Sequence, residues 1–225
     1  MSLRPARLYY PQRGSVRETA PNIEPATAAE LRALLVETST GLPDADAETL
    51  IQVAREEIEE VTGLAMITQG WRLSLDSWPS DGEPWWDGQR QMAISELRGI
   101  PAIVALPAYP LQTIDTVTVY DEGGTGTAVT IADFFDVDTY QKPGRMALKS
   151  GKTWPVALRK TNAVQIEYSA GYGDAATDVP APIKRAVLQM AAYLHEHRGD
   201  GCTPGDAFSS SGAAAMASRY KVARI

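Results

Sequence analysis

Cysteine is almost missing from this chain of 225 residues: Cys202 is the single one. One thiol excludes an internal disulfide framework and fits a reducing compartment, the cytoplasm. Histidine is scarce as well, with only His195 and His197. No apolar run approaches the ~20 residues that a membrane helix needs, and the N-terminus lacks the uninterrupted apolar stretch of a secretory signal. The expectation is a soluble protein made in the cytoplasm, without membrane contact. Positive charge is also in short supply. There are 21 Lys and Arg against 28 Asp and Glu, a formal net charge of −7. That balance disfavours sequence-independent nucleic-acid binding, which draws its affinity from cations placed on phosphates.

What the chain does have is enough length for a core. A chain of this size buries roughly 70% of its unfolded surface, so neither a disulfide nor a metal is required to hold it. Thr27, with Glu30 three residues on, forms a capping-box pattern for a short helix with Leu31, Leu34 and Leu35 on one face. After the break at Gly41 to Pro43, Asp44 or Asp46 is expected to cap a second helix. Its apolar positions are Leu50, Ile51, Ala54, Ile58 and Val61, and Gly63 closes it. From Ala65 the period switches from helical to alternating. Trp71, Leu73 and Leu75 alternate with Arg72, Ser74 and Asp76, as a half-buried strand requires.

Further strand candidates cover 92–97, 103–106, 114–120, 128–131, 134–137, 145–148 and 164–168. Glycine and proline between most of them predict an antiparallel sandwich or small barrel. Residues 78–90 form a long loop carrying Trp85 and Trp86. Pro180 and Pro182 then open a long helix, tolerated there because first-turn N–H groups lack helical partners. Its stripe is Ile183, Ala186, Val187, Met190, Ala191 and Leu194, and Gly199 ends it. The fold class expected is α+β: a helical body (26–64 and 179–199) with an antiparallel β-rich insertion (65–173). An extended arm rich in arginine (1–25) precedes it. A flexible linker and docking tail (200–225) follow, the linker read from the Gly- and Ser-rich composition of Gly201 to Gly212.

Few residues invite chemistry. His195 and His197 stand two apart on a helix and point about 200° away from each other, so they do not share a metal ion easily, even with Cys202 nearby. Glu56, Glu57, Glu59 and Glu60 could supply paired carboxylates to a hydrolase. An acidic, solvated helix face is the commoner arrangement. Gly123-Gly124-Thr125-Gly126 lacks the phosphate-binding lysine and reads as a hairpin turn. Ser209, Ser210 and Ser211 have no nucleophile-elbow pattern around them. Trp85 and Trp86 could stack on bases or sugars. Anchoring a neighbouring subunit is the favoured role, given the acidic chain and the enrichment of Trp at interfaces. Tyr9 and Tyr10 suggest that the arm docks on something too. No catalytic residue, metal site or cofactor is expected.

Several segments, in order and spacing, resemble the head–tail connector (adaptor, or head-completion) proteins of tailed phages and related particles such as gene transfer agents. They are Glu59-Glu60-Val61-Thr62-Gly63, Ile67-Thr68-Gln69 with Trp71, Trp78-Pro79, Leu106-Pro107 with Tyr109-Pro110, Trp154-Pro155, Tyr168-Ser-Ala-Gly-Tyr172, and Val179-Pro-Ala-Pro-Ile183 leading to His195 and Arg198. The resemblance covers roughly residues 31–198 and leaves the tryptophan loop without a counterpart. It implies a structural virion protein forming a homo-oligomeric ring of twelve subunits in the particle neck. Such a ring lies beneath the portal protein, extends the DNA channel without sequence-specific binding, and presents a surface to stopper or tail-terminator proteins. It also implies a portal-binding role for the C-terminal tail, here Arg219, Tyr220, Lys221, Val222, Ala223, Arg224 and Ile225.

Overall fold

The computed structural model describes residues 13–36, 38, 41–78, 103–200 and 203–221. Tyr9, Tyr10, Trp85, Trp86, Cys202, Val222, Ala223, Arg224 and Ile225 lie outside the described residues, as does the strand candidate at 92–97. The fold is α+β, with two hydrophobic cores.

The first core is helical. Helix α1 (Ala28–Leu35) starts at Thr27, whose side chain accepts from the Glu30 N–H while the Glu30 carboxylate accepts from the Thr27 N–H. That capping box satisfies two otherwise orphaned donors. Helix α2 (Asp44–Thr62) buries Ala47, Ile51, Ala54 and Ile58 at helical spacing, and Gly63 ends it in the left-handed conformation at φ 81°. Neither Asp44 nor Asp46 caps it. Pro43 occupies the cap without a side-chain bond, and both aspartates sit in the first turn, where the helix dipole favours a negative charge. Helix α4 (Ala181–Glu196) packs along α2 through Ile183, Ala186, Val187, Met190 and Ala191. It ends at Glu196, with His197 as its cap, three residues short of Gly199.

The second core lies between two antiparallel sheets. Strands β1 (Arg13–Thr19), β2 (Gln69–Leu75), β8 (Val164–Ala170), β4 (Leu111–Tyr120) and β5 (Gly126–Ala128) form one sheet in that spatial order. Strands β3 (Ile103–Ala105), β7 (Arg145–Leu148) and β6 (Phe135–Asp138) form the other. Val164, Ile166, Tyr168 and Ala170 of β8 are buried while the residues between them are half-buried, so one face of the large sheet covers the core. Phe135 and Met146 of the small sheet meet it from the other side, with the Trp78 ring tilted 40° against Phe135 at 5.2 Å between centroids. Glycine at 124, φ 84°, turns the β4–β5 hairpin, as expected of that glycine-rich segment. The expected strand at 128–131 is split. It ends at Ala128, and Ile131–Phe134 forms a single helical turn, α3.

The ends of the chain are more ordered than expected. Residues 13–19, within the expected extended arm, pair with β2 as the edge strand of the large sheet. The supposed linker is helical: α5 (Pro204–Ser210) and α6 (Ala213–Ala217) lead into a 3-10 turn, Ser218–Tyr220. The physical reason is a second capping box. Thr203 accepts from Asp206 N–H, the Asp206 carboxylate accepts from Thr203 N–H, and Pro204 takes the first helical position. Ala207, Ala213 and Ala217 are then fully buried on the helical core. Among the described residues, no helix is long and apolar enough to cross a membrane.

Candidate assembly interface at the junction of the two cores

The C-terminal half of α2 is where the helical body, both chain ends and the large sheet meet. Arg55 follows the buried line Ile51, Ile58 and Thr62 and is only 2% exposed. Its Nε lies 2.7 Å from Glu24, its Nη1 2.8 Å from Glu59 one turn on, and its Nη2 3.3 Å from Glu56. Glu59, also buried, turns its other oxygen to the Met66 N–H at 2.8 Å and the Gln69 amide at 2.7 Å. Arg17 of β1 adds 3.0 Å to Glu56 and 3.7 Å to Glu59.

Burial pushes the Glu59 carboxyl above the ordinary carboxylate range, against the pull of Arg55 and the Met66 and Gln69 donors. Burial also works against the charge on Arg55, yet Glu24 and Glu59 outweigh it and hold the guanidinium above its ordinary value. A buried charge set of this kind is costly to desolvate and costlier to break by deleting one member.

Three tyrosines also converge at the end of α2. The Tyr109 hydroxyl lies against two carbonyls, that of Thr62 at 3.1 Å and that of Tyr220. The Tyr172 hydroxyl is buried without a hydrogen-bond partner among the described residues. Its pKa is pushed up to about 12, first by burial and then by Tyr109 and Tyr220 beside it. Gly171 makes the approach possible. At φ 149° a Cβ would stand 2.6 Å from Thr68 N and 2.7 Å from the Ile67 carbonyl carbon. The Gln112 amide clamps the Gly171 carbonyl and the Thr68 hydroxyl, each at 3.0 Å.

A cleft of about 440 Å³ opens between these features, lined by Ser15, Arg17, Glu56, Glu59, Glu60, Gly63, Leu64, Trp71, Pro107 and Ala108. The Trp71 indole N–H is buried with no partner among the described residues.

The structure brings together several segments that carried the resemblance: the 59–63 helix end, 67–71, 107–110 and 168–172 all border this junction. Of the expected tail, Arg219 and Lys221 are exposed, while Tyr220 is half-buried against the helical core. The four glutamates of α2 are not one solvated face, since Glu59 is buried and Glu56 is shared by Arg17, Gln52 and Arg55. His195 is buried with Arg198 3.0 Å from its ring, and His197 instead stacks on Tyr193 at 3.9 Å. Among the described residues, no three His, Cys, Asp or Glu side chains gather as a metal site.

Sequence reasoning missed Arg55 as a buried hub. The available signal was its place at an apolar helical position four residues before Glu59.

No family model matches this sequence, and no curated protein matches it. Solved structures do. A chain of the neck of an empty gene transfer agent (GTA) particle, computed with C6 symmetry, superposes with a TM-score of 0.71 at 23% identity. It covers 94% of this chain and 97% of its own length. A chain in the virion of a native GTA particle gives 0.67 at 22% identity, covering 94% and 96%. A chain of the native GTA neck, computed with C12 symmetry, gives 0.65 at 21% identity, covering 94% and 97%. At this level of identity the likeness establishes a shared fold across nearly the whole chain.

Proposed function

We propose that this protein is a structural neck component of a phage-like particle. Twelve copies form a ring that joins the portal protein to the stopper or tail-terminator proteins and lets DNA pass without sequence-specific contact. The observation that carries the reading is the match in fold, over 94% of this chain, to chains found in GTA necks and virions. Necks computed with C6 and C12 symmetry support a cyclic assembly of copies, which uses head-to-tail interfaces between two different patches. The formal charge of −7 suits a passage that should not hold DNA tightly.

The role falls to docking and shape rather than to bond-making. A carboxylate hydrolase on α2 is disfavoured because Glu59 has both oxygens engaged and Glu56 sits among Arg17, Arg55 and Gln52. Portal binding is assigned to the tail from Arg219 to Ile225, in which Arg219 and Lys221 are exposed and Tyr220 is half-buried against the helical core. Trp85, Trp86, Tyr9 and Tyr10 serve contacts between subunits or with partners.

The test is co-expression with a portal protein from the same genome, followed by negative-stain imaging. Rings on the portal are expected with the full chain and lost on deletion of residues 222–225. Turnover of a substrate by a protein that never forms rings would overturn the proposal.

A further inference from the structure

Strand β1 brings no apolar burial to the fold. None of its residues belongs to either hydrophobic core, and Val16 at its centre is 63% exposed. It is held by the backbone ladder to β2 and by polar side chains: Arg17 on Glu56 and Glu59, Glu18 on Arg72 at 2.6 Å, and Ser15 on the Tyr168 hydroxyl. Releasing such a strand costs contacts that an identical slot on another copy restores in full.

The connection to the rest of the chain suits a release. From β1 the chain runs through Ala20-Pro21-Asn22-Ile23, with bends at Asn22 and Ile23, and is fastened again at Glu24 by Arg55 Nε at 2.7 Å. Pro21 and Pro25 bias the residues before them, Ala20 and Glu24, toward extended backbone, which favours a straightened form of this hinge. Five steps separate Glu24 from Thr19, so Thr19 reaches a β2 edge up to ~17 Å from Glu24. Short hinges of this kind invite exchange of the element they carry. Among the described residues, the exposed large apolar side chains are Val16, Ile23, Val36, Val137 and Tyr140. Val16 and Ile23 thus lie in the strand and hinge themselves, where a second copy would cover them.

We propose that, in the assembled ring, β1 of each copy leaves its own sheet and takes the same place on β2 of the next copy. Gly14 then opposes the partner subunit's Ser74, and Arg17 completes the hub around the partner subunit's Glu56 and Glu59. Each copy gives one strand and receives one, a head-to-tail contact that closes when the ring does. No second complementary surface is needed, because the slot is the one the strand already fits. The inference rests on the ring proposed above and adds how its copies are tied together.

The test traps the ladder. In a Cys202→Ser background, Gly14→Cys is combined with Ser74→Cys. These positions are opposed in register, and among the described residues nothing lies within 4 Å of a Cβ at Gly14. Opposed Cα atoms of an antiparallel pair stand ~4.5–5.5 Å apart, within the reach of a disulfide. Val16→Cys with Arg72→Cys, also opposed, is the second variant should the first misfold. Each is assembled on the portal under reducing conditions, oxidised gently and run on a denaturing gel without reductant. Rings are expected to give a ladder of chains linked to one another, and free subunits to give disulfides within one chain. Locking free subunits by oxidation beforehand should cut ring yield at least about tenfold, with reductant restoring it. Rings that hold only internally bridged chains, or locked subunits that assemble as well as reduced ones, would overturn the exchange and leave the ring reading intact. Failure of the unaltered chain to form any ring would remove the ring reading, and the exchange with it.

Discussion

The helical core closes on small and aliphatic side chains, with Ala47, Ala54, Ala186, Ala191, Ala207, Ala213 and Ala217 all buried. The sheet core closes on bulk, with Trp78, Phe135, Met146 and Tyr168 filling the gap between the sheets. The alanines let α4, α5 and α6 approach closely. Arg55 is buried in α2 under Glu24 and Glu59. The sandwich needs large residues because face-to-face sheets stand ~10 Å apart. Among the described residues, no fully buried charged side chain lies on a strand of either sheet. One core is therefore specified by a polar hub and the other by apolar volume, so they should break in different ways.

The largest expected effect is at the hub. Arg55→Leu leaves Glu24 and Glu59 without their shared guanidinium and should destabilise the protein by about 4 kcal/mol. Guanidinium titration followed by far-UV circular dichroism measures it. A loss below about 1 kcal/mol would show that the hub is no more than a surface pair.

Next is Met146→Ala, which opens a cavity at the centre of the sandwich and should cost about 3 kcal/mol. Tryptophan fluorescence reports the sheet core through Trp78 and Trp154, and helical dichroism reports the other. Coincident midpoints would show the two cores melting as one unit, and separated midpoints would break the comparison into two foldons.

The smallest effect is with pH. The Glu30 carboxyl is held low, chiefly by Lys184, and Glu167 is held low, chiefly by Thr116 and then by Arg72. The stability these groups contribute is present above their ordinary value of 4.5 and is lost as pH falls through their depressed values. Glu59 has the opposite sign. Its raised value makes it a cost at neutral pH that is relieved as pH falls through that value. Acid loss in the wild type should therefore be shallow, under about 1 kcal/mol for exposed pairs such as Lys184–Glu30. Glu59→Gln should steepen it, as read by urea midpoints from pH 7 to pH 4. An unchanged slope would remove Glu59 from the account.

Much of the scaffold was readable before the structure. The Thr27–Glu30 box, Gly63 and Pro182 delimit helices through local hydrogen-bonding and steric rules that do not depend on tertiary partners. Alternation in Trp71 to Asp76 and the strand pattern of Val164 to Tyr168 announced the large sheet for the same reason. Other elements were hidden where composition pointed one way and a specific pattern another. Glycine and serine between Gly201 and Gly212 suggested a linker, while Thr203, Pro204 and Asp206 encode a helix start. β1 carries Arg13, Arg17 and Glu18, charges suited to an edge strand that must not recruit strangers, and these made it look like an arm. The burial of Glu59 depends on Arg55, Met66 and Gln69 together, and no window of sequence contains that convergence. The tyrosine cluster spans still more chain, since Tyr109 and Tyr220 stand 111 residues apart.

That span bears on the order of events at the ribosome. When residue 200 has been made, every strand of both sheets and the α2–α4 pair already exist in the nascent chain. The clasp on Tyr109 does not, because Tyr220 has yet to be made. The end of α2 thus stays unfastened until the segment carrying Tyr220 follows.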